Sequence, residues 1–228
     1  MNCKLLVFRH TETYDNQKQI FSGWRDSDLN SKGLEQAKQI AEQLRSYRID
    51  YAFTSHLKRS KKTLSVVARE HPLIAVFKDD RLIERCYGLL QGKRKIKLQQ
   101  ENPEWYANIH RGYDFAPPEG ESLKMVENRV LPFLFQLKEW LNNYPGNVAI
   151  SCHSNSIRPI RRVFERLSLK QMLRLENPQD KAFIYNLEIS RSNLKQPKTS
   201  LEGIWKGIIV PSYVKLATNR LNPLKIYY

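Results

Sequence analysis

Two histidines stand at the ends of two apolar runs far apart in the chain. The first run, Leu5-Leu6-Val7-Phe8, delivers Arg9 and His10 side by side, followed by Thr11-Glu12-Thr13. The second, Val148-Ala149-Ile150-Ser151-Cys152, ends on His153-Ser154-Asn155-Ser156. In an open α/β sheet the carboxyl edge of the strands is where ligands bind, so both histidines are expected at one site. A neutral imidazole is a nucleophile whose bond to phosphorus is labile enough to pass the group on. Phosphoryl transfer also needs cations on the equatorial oxygens and an acid for the leaving oxygen. Arg9 and Arg59 follow strand-like runs and can supply guanidinium forks. Glu84, beside Arg85 in an apolar-flanked loop, is the candidate acid.

The elements around these residues alternate. Ser31 is the expected cap of a helix to about Tyr47, with Leu34, Ala37, Ala41 and Leu44 as its apolar stripe. Tyr51–Phe53 reads as a strand, then a helix through Arg59 and Leu64 to about Arg69, then a strand over Leu73–Phe77. This rhythm predicts βα units and a three-layer α/β/α sandwich with a mostly parallel central sheet. Asp79–Gly92 is read as a loop, and Asn102–Gly120 as an ordered excursion over the sheet, a position that commonly carries function. A long helix from Ser122 to about Leu141 is interrupted or kinked at Pro132. Helices over Ile157–Leu167 and Ser168–Leu175 and a strand over Ala182–Ile189 complete the pattern. Ile208–Val210 is a further short edge-strand candidate.

The 228 residues are expected to form one domain with an atypical basic tail from about 190. An apolar fraction of 41% and a charged fraction of 27% argue against disorder. The net charge of +15 attracts anions of any kind, and seven Lys or Arg against one acid in the last 38 residues add to it. Arg158, Arg161, Arg162 and Arg166 recur at helical spacing. A solvent-facing basic stripe is the expectation, because no nucleic-acid motif accompanies them. Three widely spaced cysteines form no metal knuckle or disulfide framework, which points to a reduced, cytoplasmic setting. No run has signal-peptide or membrane-span character.

Taken together, the motifs resemble those of the histidine phosphatase superfamily, and more narrowly its phosphoglycerate mutase branch, from about residue 4 to 189. The family's Arg-His-Gly-Glu pattern stands here as Arg9-His10-Thr11-Glu12, with Asn16 after it. Its Phe-x-Gly-Trp-x-Asp segment is Phe21-Ser22-Gly23-Trp24-Arg25-Asp26. Thr54-Ser55 to Arg59 and Thr63 matches the Thr-Ser-x-x-x-Arg-x-x-x-Thr pattern. Glu84-Arg85-Cys86-Tyr87-Gly88, His110-Arg111-Gly112-Tyr113-Asp114 and Pro117-Pro118-Glu119-Gly120-Glu121-Ser122-Leu123 follow in the family's order. Cys152-His153-Ser154-Asn155-Ser156-Ile157-Arg158 is the second histidine motif.

The resemblance implies that His10 is phosphorylated, that Arg9, Arg59 and His153 hold the transferring group, and that Glu84 is acid and base. It implies substrate contacts at Asn16, Ser22, Gly23, Arg85, Tyr87, Lys95, Arg111 and Asn155, with His110 standing where mutases carry an arginine. The expected activity is interconversion of 3- and 2-phosphoglycerate, primed by 2,3-bisphosphoglycerate, without a metal. The alternative is phosphomonoester hydrolysis through the same phosphohistidine. A different class of function, a catalytically weak relative binding nucleic acid or an acidic partner, draws on the charge and on the replacements at Thr11 and Ser154. The expected partner is a small phosphorylated anionic metabolite, with neither membrane nor nucleic acid involved and a homodimer left open. Thr11 and Ser154 replace family glycines, so their hydroxyls are expected near the phosphoryl group. Charging of His110, at its ordinary pKa of about 6.5, would strengthen substrate retention at lower pH.

Overall fold

In the computed structural model, described here for residues 2–188, a five-stranded sheet is flanked by helices on both faces. Strands β1 (Asn2–Arg9), β2 (Tyr51–Thr54), β3 (Ala75–Lys78), β4 (Val148–Cys152) and β5 (Ala182–Glu188) lie in the order β3-β2-β4-β1-β5. β1 to β4 run parallel and only β5 is antiparallel. The helices are α1 (Tyr14–Gln17), α2 (Ser31–Leu44), α3 (Lys58–Ala68), α4 (Lys95–Glu101), α5 (Pro103–Arg111), α6 (Leu123–Asn143), α7 (Ser154–Phe164) and α8 (Leu169–Arg174). The expected α/β/α sandwich is therefore present. The candidate edge strand at 208–210 and the basic tail from about 190 lie outside the described residues.

The layers follow from strand periodicity. Side chains alternate across a strand, and a parallel sheet is covered on both faces, so β1 reads as a continuous apolar run. Leu5 and Val7 pack with Val126, Val130, Phe133 and Leu137 of α6 and with Ile157 and Ile160 of α7. Leu6 and Phe8 face the other way, onto Ile40, Ala41 and Leu44 of α2 and Leu64 and Val67 of α3. Each fully buried Leu, Val or Phe contributes about 1.5–3 kcal/mol of transfer free energy, so these two layers carry the fold. Phe21, Tyr87, Leu90 and Ile109 form a third cluster under the α4–α5 excursion.

Three local expectations are corrected. Asn30, not Ser31, caps α2, its Oδ1 accepting from the Gly33 N–H at 2.8 Å. The stripe is rotated: Gly33 and Ile40 are buried while Leu34 is 47% exposed. A side chain at 33 could not face inward, because a Cβ there would lie 2.0 Å from the Glu12 carbonyl oxygen. Finally, of the two readings of Pro132 the interruption is overturned, because α6 is one helix through it. Pro132 and Asn128 are both exposed, so the carbonyl that the proline leaves without an N–H can be solvated and the helix continues.

Candidate active site

Strand register assembles the site. β4 lies between β1 and β2, and Arg9 pairs with Cys152, so the next residues of β1 and β4, His10 and His153, emerge together. The His10 amide donates to the Cys152 carbonyl at 2.9 Å, and the two imidazole centroids are 5.1 Å apart. β2 ends beside them on Ser55, whose hydroxyl is 2.7 Å from His153 Nε2. α3 follows and places Arg59 in its first turn. α7 begins directly after His153, so its N-terminal end, with Ser154 and Asn155, faces the same cavity; helix N-termini favour anions.

His10 is held in one tautomer. Its Nδ1 lies 2.8 Å from the Thr11 carbonyl oxygen. A carbonyl only accepts, so Nδ1 carries the proton and Nε2 keeps its lone pair. Burial, reinforced by Arg59 and Arg9, holds the His10 pKa well below the usual imidazole range. Burial and the same cations also lower His153. Both rings are thus neutral at physiological pH, the state a nitrogen nucleophile needs.

The cavity, of about 300 Å³, is lined by Arg9, His10, Arg59, Glu84 and Arg158 among others. Each arginine uses part of its fork on the protein. Arg9 reaches the Asn177 carbonyl at 3.1 Å. Arg59 reaches the Arg25 and Gly23 carbonyls, both at 2.7 Å, and Arg158 reaches those of Met172 and Leu173. In all three, Nε is buried without a partner. Three guanidinium groups lining one cavity make it a place for an anion, whose oxygens a guanidinium fork can grip. His153 Nδ1 is likewise buried and unpartnered.

Glu84 is 7% exposed, and its Oε1 accepts from the Arg85 amide at 2.8 Å and the Asn155 amide at 3.3 Å. Ligand-capable atoms of His10, Glu84 and His153 fall within 4.8 Å of one another, a spacing a metal ion could use. The surrounding guanidinium groups oppose a cation there and favour a phosphoryl group.

Most of the other expected residues join this cavity. Asn16 closes a capping box with Thr13, and its Oδ1 accepts from Gln179 at 3.0 Å, leaving the amide NH₂ for the cavity. Ser22 and Gly23 form its rim. Gly23 has φ +53°, and a Cβ there would lie 2.2 Å from Gln91 Oε1, so the turn requires glycine. Tyr87 packs on Phe21 at 4.9 Å and accepts from Asn155 Nδ2 at 3.2 Å. Lys95 sits 5.7 Å over the Phe21 ring, its pKa lowered by burial and then by Arg9.

Arg85 is placed elsewhere. Its guanidinium donates to the carbonyls of Glu121 (2.6 Å), Ile109 (2.6 Å) and Phe115 (2.8 Å), pinning the α5–α6 connection instead of lining the cavity. Arg111 lines the cavity but donates to Glu176 Oε1 at 2.6 Å and the Leu173 carbonyl at 3.1 Å. His110 stacks on Tyr106 at 5.4 Å, and burial, then Arg111, Lys95 and Arg158, push its pKa down to about 4. His110 is therefore neutral near pH 6, contrary to the expectation from its ordinary pKa.

Ser154, expected near the phosphoryl group, lines the cavity, and three lining residues had not been expected there: Ile20, Arg158 and Glu176. Arg158 is 5% exposed, not solvent-facing. Its spacing of three from Asn155 was the available signal, since residues three apart share a helix face. Arg161 and Arg162 are engaged by Glu165 (2.7 Å) and Glu127 (2.9 Å), so the four arginines are not an open stripe for a phosphate backbone. Thr11 does not crowd the phosphoryl position: its hydroxyl faces Thr63 Oγ1 at 3.3 Å and it is fully buried. Among the described residues no helix is long and apolar enough to cross a membrane.

The depressed histidines set an acid limit on stability. A group whose folded pKa lies below its unfolded value binds protons better when unfolded, so its contribution is complete above the unfolded pKa and lost as pH falls. His10 and His153 lie well below the ordinary value and His110 near 4. The urea midpoint should hold between pH 7 and 8 and drop steadily below about pH 6.5. A midpoint that rose on acidification to pH 5 would contradict neutral burial of these rings.

The sequence profile of the histidine phosphatase superfamily (branch 1) matches residues 5–198. Phosphoglycerate mutase of Schizosaccharomyces pombe is 35% identical over 189 residues, spanning 81% of this chain and 90% of that one. The 2,3-bisphosphoglycerate-dependent phosphoglycerate mutase of Afipia carboxidovorans is 35% identical over 214 residues, spanning 89% of this chain and all of that one (100%). Among solved structures, mycobacterial glucosyl-3-phosphoglycerate phosphatase superposes with a TM-score of 0.71 at 22% identity, covering 82% and 90% of the two chains. The α-ribazole phosphatase of Shigella flexneri superposes with a TM-score of 0.69 at 23% identity, covering 83% and 96%. These structural likenesses speak to the fold; the sequence relatives and the profile speak to descent. With paired histidines, converging arginines and a buried glutamate in one anion-seeking cavity, the chain belongs to the histidine phosphatase superfamily and to its phosphoglycerate-mutase-like branch.

Proposed function

We propose that the chain hydrolyses phosphomonoesters through a phosphohistidine on His10. The observation that carries this is the locked His10 tautomer in a cavity that Arg9, Arg59 and Arg158 also line. Non-bridging oxygens of the ester would lie on Arg9, Arg59 and His153. His10 Nε2 attacks phosphorus as the ester P–O bond breaks, and Glu84 gives its proton to the leaving alkoxide. Water then attacks the P–N bond, with the Glu84 carboxylate taking its proton, and phosphate leaves with His10 restored. Arg158 and Asn155 would contact the ester beyond the phosphoryl group. No step needs a metal, and activity should survive chelation.

A second reading, mutase activity primed by 2,3-bisphosphoglycerate, is favoured by Tyr87, Lys95 and Asn155 in the cavity wall and by the mutase relatives. It requires a firm grip on the monophosphate while the phosphohistidine is kept from water. Three groups expected to supply that grip are otherwise engaged: Arg85 on loop carbonyls, Arg111 on Glu176, and His110 uncharged. That favours hydrolysis. The products decide. Given 3-phosphoglycerate with a trace of 2,3-bisphosphoglycerate, the chain should release free phosphate faster than it forms 2-phosphoglycerate, and other phosphomonoesters should be better substrates. Isomerisation outpacing phosphate release would establish the mutase instead.

A further inference from the structure

The loop after α8 brings a second acid, besides Glu84, into a cavity lined by several arginines. Glu176 is held there from both sides. Its own carbonyl accepts from Arg161 at 2.8 Å. The neighbouring Asn177 accepts from Arg9 through its carbonyl at 3.1 Å and donates to the Ser154 carbonyl at 2.8 Å. The Glu176 side chain lines the cavity while 83% exposed, and its Oε1 accepts from Arg111 at 2.6 Å. Arg111 Nη1 donates to the Leu173 carbonyl at 3.1 Å, which Arg158 shares at 3.0 Å. Arg111 thus already holds an internal carboxylate, the kind of group it would otherwise offer to bind on a substrate.

We infer that Glu176 is a specificity-determining residue that occupies Arg111 and so disfavours esters carrying a second anionic group beside the phosphoryl group. The favoured substrates are phosphomonoesters of neutral or cationic alcohols. A second anion must displace Glu176 and then tolerate its charge nearby. An exposed ion pair is worth little, so this is a filter and not a block. The inference rests on the phosphohistidine reading for its kinetics but not for its binding.

The test compares 3-phosphoglycerate, with two anionic groups, against glycerol 2-phosphate, with one. The ratio of their kcat/KM values is measured with and without Glu176→Gln. The ratio of their dissociation constants is measured by calorimetry in the His10→Ala background, where turnover cannot interfere. Glu176→Gln should shift both ratios about fivefold toward 3-phosphoglycerate, mainly through KM, the scale of an exposed ion pair with its like-charge counterpart. A shift below about twofold in the binding ratio, or one toward glycerol 2-phosphate, overturns the inference. If His10→Ala still turned over both esters, the phosphohistidine reading would fail while the calorimetric ratio still judged Glu176.

Discussion

His10→Ala should lower turnover of any phosphomonoester by at least about 10⁴-fold, because a covalent nucleophile and its partners act as one unit. The ring sits on a strand end with its tautomer set by the Thr11 carbonyl, and alanine removes the lone pair that this tautomer leaves on Nε2. The fold should survive, since the site lies at the sheet edge and the two main core clusters do not include His10. Unchanged circular dichroism alongside the loss of turnover would locate the effect in chemistry. A variant keeping a tenth or more of the activity, about, would rule out attack by this imidazole.

Glu84→Gln should cost about 10²–10⁴-fold in kcat toward alkyl phosphates, the usual contribution of a positioned acid. The carboxyl group accepts from the Arg85 and Asn155 amides through Oε1, and the amide oxygen of glutamine can keep those bonds. What is lost is the proton for the leaving alkoxide. Para-nitrophenyl phosphate, whose leaving group needs no proton near neutral pH, should therefore lose far less in the phosphorylation step, seen as a retained burst of nitrophenolate. Equal losses for both esters would show that Glu84 is not the acid.

Much of this site was legible in the sequence because strand ends advertise themselves. Val148–Cys152 is a short apolar run closed by a histidine, and the observed strand has those same bounds. Parallel pairing of β1 with β4 then brings the second histidine to the first. Legibility fell where a role depends on the direction a side chain takes. Arg85 and Arg111 are spaced as ligands would be, yet one clamps three backbone carbonyls and the other pairs with a glutamate 65 residues on. Glu176 sits in a connection with no periodicity to flag it. Arg158 was hidden among arginines at helical spacing, and only the burial of the first turn of α7 separates it from Arg161 and Arg162. The rotated stripe of α2 comes from a backbone contact, Gly33 against Glu12, that no hydrophobic pattern encodes.

The central claim is covalent, and trapping the intermediate tests it most directly. The chain would be mixed with a labelled phosphomonoester, quenched in alkali within milliseconds, digested and mapped. Phosphoramidate on His10 should be found, stable in alkali, lost in acid, and absent from the His10→Ala protein. Label on no residue at any time, or acid-stable label on a hydroxyl such as Ser154, would contradict it.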